Sequence, residues 1–436
     1  MRILHISIEK NGEQTAVGQI TGDSFQDARF QYDSSWLDRS DAIPVSLSLP
    51  LQEEAFSPEK TRIYFAGLLP EGFTRKTVAH WLHADEGDYL SMLVGLGQEC
   101  LGAIQVLEEG TTPEKAAYLR MTKQQLQEFA REGAMKSAEL LAESHLSLTG
   151  ASGKTGLYYD AANDEWYLPR GTAPSTHIVK QCHVRLKSII TNEQLCMNTA
   201  ARLGIPVPKS FVVRTSEIPG SSEENMLFAT PRYDRIMSDP NRKLDNLPIP
   251  FRLHQEDLAQ ALGIPAAEKY EQEPSGYLKK CCDLILQYTG SYGRDIKQFW
   301  QEIILDFLIG NTDGHIKNFS LLYQENLKGL HLAPAYDIVS TTIYPSGTRN
   351  LSMFIGGKNR IDEIGRADFA LAAEQSNVPA SFVLGQFDRL ADGFEAALKE
   401  AASDLMREGF QDAEEIREKI LETSGYRLLF TRSRNK

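Results

Sequence analysis

Ile296, Phe299, Trp300, Ile303, Ile304, Phe307 and Leu308 recur at i, i+3, i+4, i+7, i+8, i+11 and i+12. That spacing puts large apolar side chains on one stripe of an α-helix, and such a stripe has to be buried. Asp295 suits the N-cap of this helix, and Gly310 suits the position just past its end. The stretch that follows is almost wholly polar or glycine: Gly310-Asn311-Thr312-Asp313-Gly314-His315-Ile316-Lys317-Asn318-Phe319-Ser320. A rigid core helix therefore runs straight into a polar loop, which is a good support for a site that needs positional accuracy.

Asp313 and Asn318 are five positions apart. Protein kinases use an Asp and an Asn at this spacing, one to accept the substrate hydroxyl proton and one to hold magnesium. Asp and Asn are also the ordinary residues of turns, and the same pair suits a plain capped turn. Downstream, residues 319–323 and 330–333 read as two short strands, with polar turn residues at 324–329. A hairpin here would bring Pro334-Ala335-Tyr336-Asp337 back beside Asn318. It would supply two hard oxygen ligands next to a candidate base, as phosphoryl transfer requires.

The chain has 436 residues, enough for two or three cooperating lobes. A net charge of −13 argues against a surface that grips nucleic acid throughout, and leaves local basic patches open. The cysteines are Cys100, Cys182, Cys196, Cys281 and Cys282, odd in number and without a C-x-x-C, which suits reduced thiols in a cytosolic protein. Neither a signal-peptide core nor a membrane-length apolar run is present, so the expectation is a soluble, cytoplasmic protein.

In chain order, residues 2–8 and 14–20 read as strands around an Asn11-Gly12 turn, and 25–32 and 45–49 as two further strands. Residues 62–95 turn helical, interrupted at Leu69-Pro70-Glu71-Gly72. Residues 100–107 read as a strand and 123–142 as a helix with Thr122 as N-cap. Gly153-Lys154-Thr155 imitates the end of a P-loop, but the glycine required five positions earlier is Leu148, so that motif fails by spacing. What remains is a small, hydroxyl-rich loop between expected strands at 146–148 and 156–159. It suits a plain hairpin turn, or backbone amides that cover phosphates. Strands are expected at 166–169 and at 176–180, the latter ending in Lys180. Lysine there reads either as a solvated strand end or as a phosphate-reaching lysine paired with a helix glutamate. Asn192-Glu193 opens the next helix; Glu193 is the candidate partner, and it also suits the dipole of that helix start. Strands at 211–213 and 226–230 lead into Pro231-Arg232-Tyr233-Asp234-Arg235, the place of an inter-lobe hinge. From about residue 257 the pattern is largely helical, closing with 369–374, 383–401 and 413–427.

With these pieces in order, the sequence resembles the HipA family of bacterial serine/threonine kinase toxins. The matching stretches are Ser147 to Lys154, Ser175 to Lys180, Asn192-Glu193, Arg232 to Arg235, Gln255-Glu256-Asp257, Lys269-Tyr270-Glu271, Gly310 to Ser320 and Leu332 to Ile338. Val45 to Leu51 and Leu68 to Gly72 match nearer the start. The resemblance implies an α+β, protein-kinase-like two-lobed fold with a β-rich, elaborated N-terminal lobe and an all-helical C-terminal lobe. The expected units are a β-rich subdomain at 1–110, a kinase N-lobe core at 111–240 and a helical lobe with the catalytic loop at 241–436. By the same resemblance Asp313 is the catalytic base, Asn318 and Asp337 bind Mg²⁺, and Lys180 contacts ATP phosphates. Ser152, Gly153 and Lys154 cover those phosphates. The backbone around Pro231 and Tyr233 meets adenine. Many relatives carry glutamate where Pro231 stands; proline keeps the carbonyl acceptor but has no amide donor, which leaves the Tyr233 amide. Ser147 matches an autophosphorylated serine whose modification displaces the loop and inactivates the kinase. His315 either assists Asp313 or the transferring phosphate, or is a supporting core histidine.

The expected function is an ATP- and Mg²⁺-dependent serine/threonine protein kinase, the toxin of a HipBA-like toxin–antitoxin system. Its expected partners are a HipB-like antitoxin, operator DNA mainly through that antitoxin, and a protein substrate of the aminoacyl-tRNA synthetase class, whose modification arrests translation. No membrane partner is expected. The rival readings are a small-molecule phosphotransferase of the antibiotic type and a catalytically silent co-repressor subunit.

Overall fold

The computed structural model describes residues 1–148, 153–183, 185–216 and 223–431. At the start, Arg29–Tyr32, Glu13–Gly22, Arg2–Lys10 and Ile104–Glu108 lie side by side in that order, each antiparallel to its neighbour. Leu4, Ile6 and Ile8 alternate onto the buried face, as a half-buried strand requires. Asn11 and Gly12 both have positive φ, 50° and 85°, the backbone of the expected tight hairpin. The strand expected at 25–32 begins only at Arg29. Residues 45–49 form no strand, only a buried turn with a bridge between Ser46 and Leu49. The V-S-L-S-L alternation is there, but distant groups hold the segment: the Tyr32 hydroxyl receives the Val45 amide and donates to Leu49 O, and the Glu256 carboxylate receives Ser46 Oγ and the Leu47 amide.

A second, six-stranded sheet runs in the order Ala117–Arg120, Glu165–Arg170, Lys154–Asp160, His177–Gln181, Met226–Pro231 and Phe211–Arg214. Leu126, Phe129 and Ala130 cluster with Leu157, Val179 and Leu227 of this sheet. The helix expected over 123–142 is two helices, Lys123–Glu132 and Ala134–Ser144, because Gly133 takes a left-handed φ of 71°. Leu146 makes isolated bridges to Gly97 and Glu99 in place of the expected strand at 146–148.

The apolar stripe of Tyr292–Ile309 is the centre of the C-terminal core: its seven members, Ile296 to Leu308, are each at most 4% exposed. The helix starts after Ser291 rather than at Asp295, which lies buried in the first turn, and it ends at Gly310 with φ of 73°. Helices Tyr277–Tyr288, Arg366–Gln375, Ala380–Arg407 and Ala413–Thr423 surround it. This lobe is not all-helical. Gln255–Asp257, Ser320–Tyr323 and Leu330–Leu332 form a three-stranded sheet, and Asn350–Ile355 pairs with Lys358–Arg360. The polar loop needs two strands to return the chain past its own exit, so the sheet belongs to the architecture of the site.

Helix Ile189–Arg202 joins the lobes. It lies between strands of the six-stranded sheet in sequence, yet Leu195, Cys196, Met197 and Ala200 enter the C-terminal core. It begins three residues before Asn192 because Glu223 caps it from a distance, receiving the amides of Ser188 and Ile190 at 2.6 and 2.8 Å. Among the described residues all five cysteines are free thiols, and no helix is long and apolar enough to cross a membrane.

Candidate functional site

The polar loop is held from three sides. Asp306, in the last turn of the core helix, receives Asn311 Nδ2 at 2.8 Å, and Asn311 Oδ1 receives the Asp313 amide at 3.0 Å. Thr341 Oγ1 receives the Thr312 amide at 2.7 Å, and Ser352 Oγ donates to Thr312 O at 2.6 Å. Asn318 Nδ2 donates to Asp313 O at 2.9 Å, tying the two ends of the five-residue spacing together and leaving Asn318 Oδ1 without a partner among the described residues. The expected hairpin forms, with Leu321 opposite Leu332. Beyond it, Tyr336 donates to Lys317 O at 2.9 Å, and Asp337 takes a left-handed φ of 59°, tolerated by aspartate but uncommon.

Across the cleft stands Lys180, 8% exposed, with its ammonium 2.6 Å from Glu193 Oε1 and hydrogen-bonded to Asp337 Oδ1. Three segments thus meet at one cation: a sheet strand, the inter-lobe helix and the end of the hairpin. Burial opposes charge at Lys180, but the two carboxylates outweigh it and hold the ammonium protonated. Burial likewise works against ionisation of Asp337; the Lys180 and Lys154 ammonium groups overcome it and keep the carboxyl well below the usual range. Glu193 therefore pairs with Lys180 and is buried in the second turn, rather than serving the helix dipole at the start.

Lys180, Glu193, Asp313, His315, Asn318 and Asp337 all line one cleft of about 1020 Å³. A narrower slot of about 70 Å³ opens from it, sharing Lys154, Lys180, Phe228 and Asp337. The slot is walled by Leu101, Ile178, Phe228, Pro231 and Tyr233, with Tyr233 stacked on Tyr336 at 5.3 Å. The Tyr233 amide makes no hydrogen bond among the described residues. The segment around it is fastened by a buried ion cluster. Arg232, Arg235 and Arg252 surround Glu99, whose carboxyl is held at about 2: burial opposes this, and the three guanidinium groups outweigh burial. Asp234 pairs with Arg232 and receives the Gly102 amide at 2.7 Å, so the turn that carries Leu101 is locked to the hinge.

The remaining expected residues are placed as follows. Gly153 and Lys154 line the cleft, and Lys154 Nζ has no ion-pair partner among the described residues. Ser152 lies outside the described residues. Ser147 lies in neither cavity: it is fully buried, and its hydroxyl donates to Leu68 O at 2.6 Å. His315 lines the cleft at 6% exposure with Nδ1 unpartnered among the described residues, and burial, reinforced by the Lys269 charge, pushes its pKa down to about 3, so the ring is neutral. It makes no side-chain hydrogen bond to Asp313. That bond comes from Tyr270, whose hydroxyl donates to Asp313 Oδ1 at 2.5 Å. Burial raises the Asp313 pKa, the Tyr270 hydrogen bond lowers it, and the Asp337 charge raises it again; the net shift is upward.

Sequence reasoning did not assign roles to Tyr270, Asp306, Lys317, Glu71 or Glu99. Lys317, inside the loop, pairs with Asp257 at 2.7 Å and faces Glu71 at 3.7 Å. Lys269-Tyr270-Glu271 and Gln255-Glu256-Asp257 stood out as motifs, and that was the available signal; their partners are far away along the chain.

Comparison with known proteins places this arrangement. The HipA-like C-terminal domain matches residues 146–416, and the HipA N-terminal domain matches residues 11–107. A protein of Sinorhizobium fredii (strain NBRC 101917 / NGR234) named "Putative kinase Y4mE" is 32% identical over 397 residues, 89% of this chain and 90% of that protein. Another from the same strain, "Putative kinase Y4dM", is 23% identical over 387 residues, 86% and 87% of the two chains. The Shewanella oneidensis MR-1 toxin–antitoxin complex of HipA, HipB and operator DNA contains a chain that superposes with a TM-score of 0.75, at 20% identity over 96% of each chain. The last likeness is one of fold, and it agrees with a two-lobed, kinase-like architecture. A domain match over more than half of the sequence and a relative aligned along nearly its whole length lead to one conclusion: this chain belongs to the HipA family.

Proposed function

We propose that the protein is an ATP- and Mg²⁺-dependent serine/threonine protein kinase acting as the toxin of a toxin–antitoxin pair. The observation that carries this reading is the meeting of Lys180, Glu193 and Asp337 in the same cleft as Asp313 and Asn318. In kinases a lysine–glutamate pair, an Asp/Asn metal pair and a catalytic aspartate form such a group.

The donor set suits the cation. Among the described residues no group of three or more His, Cys, Asp or Glu could hold a metal alone. Mg²⁺ is characteristically held by one or two carboxylates together with phosphates and waters, and Asp337 with Asn318 Oδ1 offers that kind of partial, all-oxygen set. When bound, Mg²⁺ supplies neutralisation of phosphate charge. Lys180 and Lys154, with Gly153 and Ser152, are the proposed phosphate contacts. The apolar slot, with the Pro231 carbonyl and the Tyr233 amide, is the proposed adenine seat. Asp313, with its pKa raised by burial, is the proposed base that accepts the proton of a substrate hydroxyl, and the neutral His315 the proposed hydrogen-bonding neighbour of the phosphate.

Ser147 is proposed as an inactivating autophosphorylation site. Its side chain is fully buried with the hydroxyl on Leu68 O, so it has to leave that carbonyl to be modified, and a phosphate dianion would not be accepted back. We further propose the units 1–110, 111–240 and 241–436, with helix Ile189–Arg202 shared between lobes. The proposed partners are a HipB-like antitoxin, operator DNA through that antitoxin, and an aminoacyl-tRNA synthetase as substrate in the cytoplasm. Support for the first two comes from the Shewanella complex, and the net charge of −13 suits DNA contact made mainly by the partner.

The test is phosphate transfer from labelled ATP with Mg²⁺, alone and with cell extract, comparing wild type with Asp313→Ala. Label on the chain and on one extract protein, reduced about 100-fold or more in the variant, is expected. Tryptic mass spectrometry then places the self-label on Ser147. Undiminished transfer by Asp313→Ala overturns the reading. Label on a small molecule with none on protein would point to a small-molecule phosphotransferase.

A further inference from the structure

Tyr270 makes the only side-chain hydrogen bond that the Asp313 carboxylate receives among the described residues, through its hydroxyl to Oδ1. Its ring meets His315 edge-on, with centroids 5.1 Å apart and planes at 79°. The residues on either side of it are anchored in different parts of the molecule. Lys269 Nζ lies 2.6 Å from Glu71 Oε2, which comes from the turn at 68–72 in the N-terminal half. Glu271, 4% exposed, receives the amides of Phe354 at 2.9 Å and Tyr277 at 3.1 Å, and Ser275 Oγ at 3.1 Å. Lys-Tyr-Glu thus reads as anchor, contact, anchor, and the phenol between two fixed neighbours is held against Asp313.

A carboxylate acting as base needs a fixed rotamer and one oxygen open to the incoming hydroxyl. A donor on Oδ1 supplies the first and leaves Oδ2 for the second. The loop itself fixes only the backbone of Asp313, through Asn311 and Asn318. We infer that Tyr270 is a positioning residue for Asp313, with its hydroxyl fixing the carboxylate and the Lys269–Glu71 pair linking that geometry to the N-terminal half of the chain. This rests on the kinase reading above.

The experiment measures kcat, the KM for ATP and the thermal midpoint for wild type, Tyr270→Phe, Glu71→Gln and Asp313→Ala, using purified full-length protein and a serine acceptor found in the labelling assay or, failing that, self-phosphorylation. Tyr270→Phe removes one oxygen from a residue that is 37% exposed, so the fold is retained. A fall in kcat of about tenfold or more at an ATP KM within about twofold of wild type is expected, with an unchanged thermal midpoint. Glu71→Gln should show a smaller loss of the same kind. An unchanged kcat overturns the inference. So does faster ATP consumption, which would mark the phenol as an obstacle in the acceptor's place, and so does label on Tyr270 itself. A loss spread over KM and thermal midpoint also overturns it, as general disruption. If Asp313→Ala is as active as wild type, or wild type transfers nothing, the kinase reading falls and this inference with it. An inactive Asp313→Ala beside a fully active Tyr270→Phe removes the inference alone.

Discussion

Gly314 has no room for a side chain, since an added Cβ would lie 2.1 Å from Asp306 Oδ2. Asp306 cannot yield without losing Asn311, and Asn311 holds the Asp313 amide. Gly314→Ala should therefore cut kcat by about tenfold or more, because small displacements of a base cost much of the rate. Single-turnover transfer with nucleotide bound at saturation checks this, and a variant as fast as wild type would show that the loop tolerates the shift. At this scale the site was partly legible. Asp313, Asn318, Lys180 and Asp337 belong to short stretches whose spacing and residue types already suggested phosphoryl transfer, and they line one cleft. Tyr270 and Asp306 were not legible in their roles. A tyrosine 43 positions before Asp313 carries no local sign that its hydroxyl ends there, and an aspartate inside an apolar helix carries no local sign that the fold half-buries it. Burial brings its carboxyl up to about 7.

Helix Tyr292–Ile309 carries the loop, and its apolar face secures it. Phe307 is fully buried against Phe369 and Phe387, with ring centroids 5.4 and 6.2 Å away. Phe307→Ala should cost about 3–5 kcal/mol. A lower urea midpoint with an unchanged slope would show it; a midpoint within error of wild type would mean that the core refills the cavity. This helix was the most legible element because its 3.6-residue period persists over more than three turns, and a long period outweighs local ambiguity. Its start differs from the expectation: Asp295 is a good cap by type, but Ser291 holds that position. Helix Ile189–Arg202 began early for a comparable reason, since its capping carboxylate, Glu223, lies beyond its own C-terminus in sequence. Gly133 shows the reverse case, in which one left-handed glycine divides a segment whose composition reads as a single helix.

Across the whole molecule, the three residues of strand Gln255–Asp257 act on three separate parts. Gln255 receives the Tyr233 hydroxyl at 3.0 Å, Glu256 receives Ser46 and Leu47 of the N-terminal half, and Asp257 receives Lys317 of the polar loop. Among the described residues Glu256 has no ion-pair partner, and burial lifts its pKa to about 8 although the Ser46 and Leu47 hydrogen bonds pull the other way. A carboxyl raised on folding contributes stability that is complete below its unfolded pKa, about 4.5, and is lost as pH rises through 8. Wild type should thus lose stability relative to Glu256→Gln between pH 5 and 8.5, by up to about 1.4 kcal/mol per pH unit. Parallel thermal melts of the two proteins across that range measure it, and curves that stay parallel would rule out Glu256 as the titrating group. By itself the sequence determined the periodic helices, the hairpin turns and the polar loop with its Asp and Asn, because each depends on neighbours within a few residues. Only the tertiary structure decided which buried charges face one another. Glu99 gathers three arginines from positions 232 to 252, Glu256 holds a segment near residue 46, and Tyr270 meets Asp313. The reason is physical: an ion or hydroxyl taken out of water has to find its partner through the folded chain, and nothing in its local spacing names that partner.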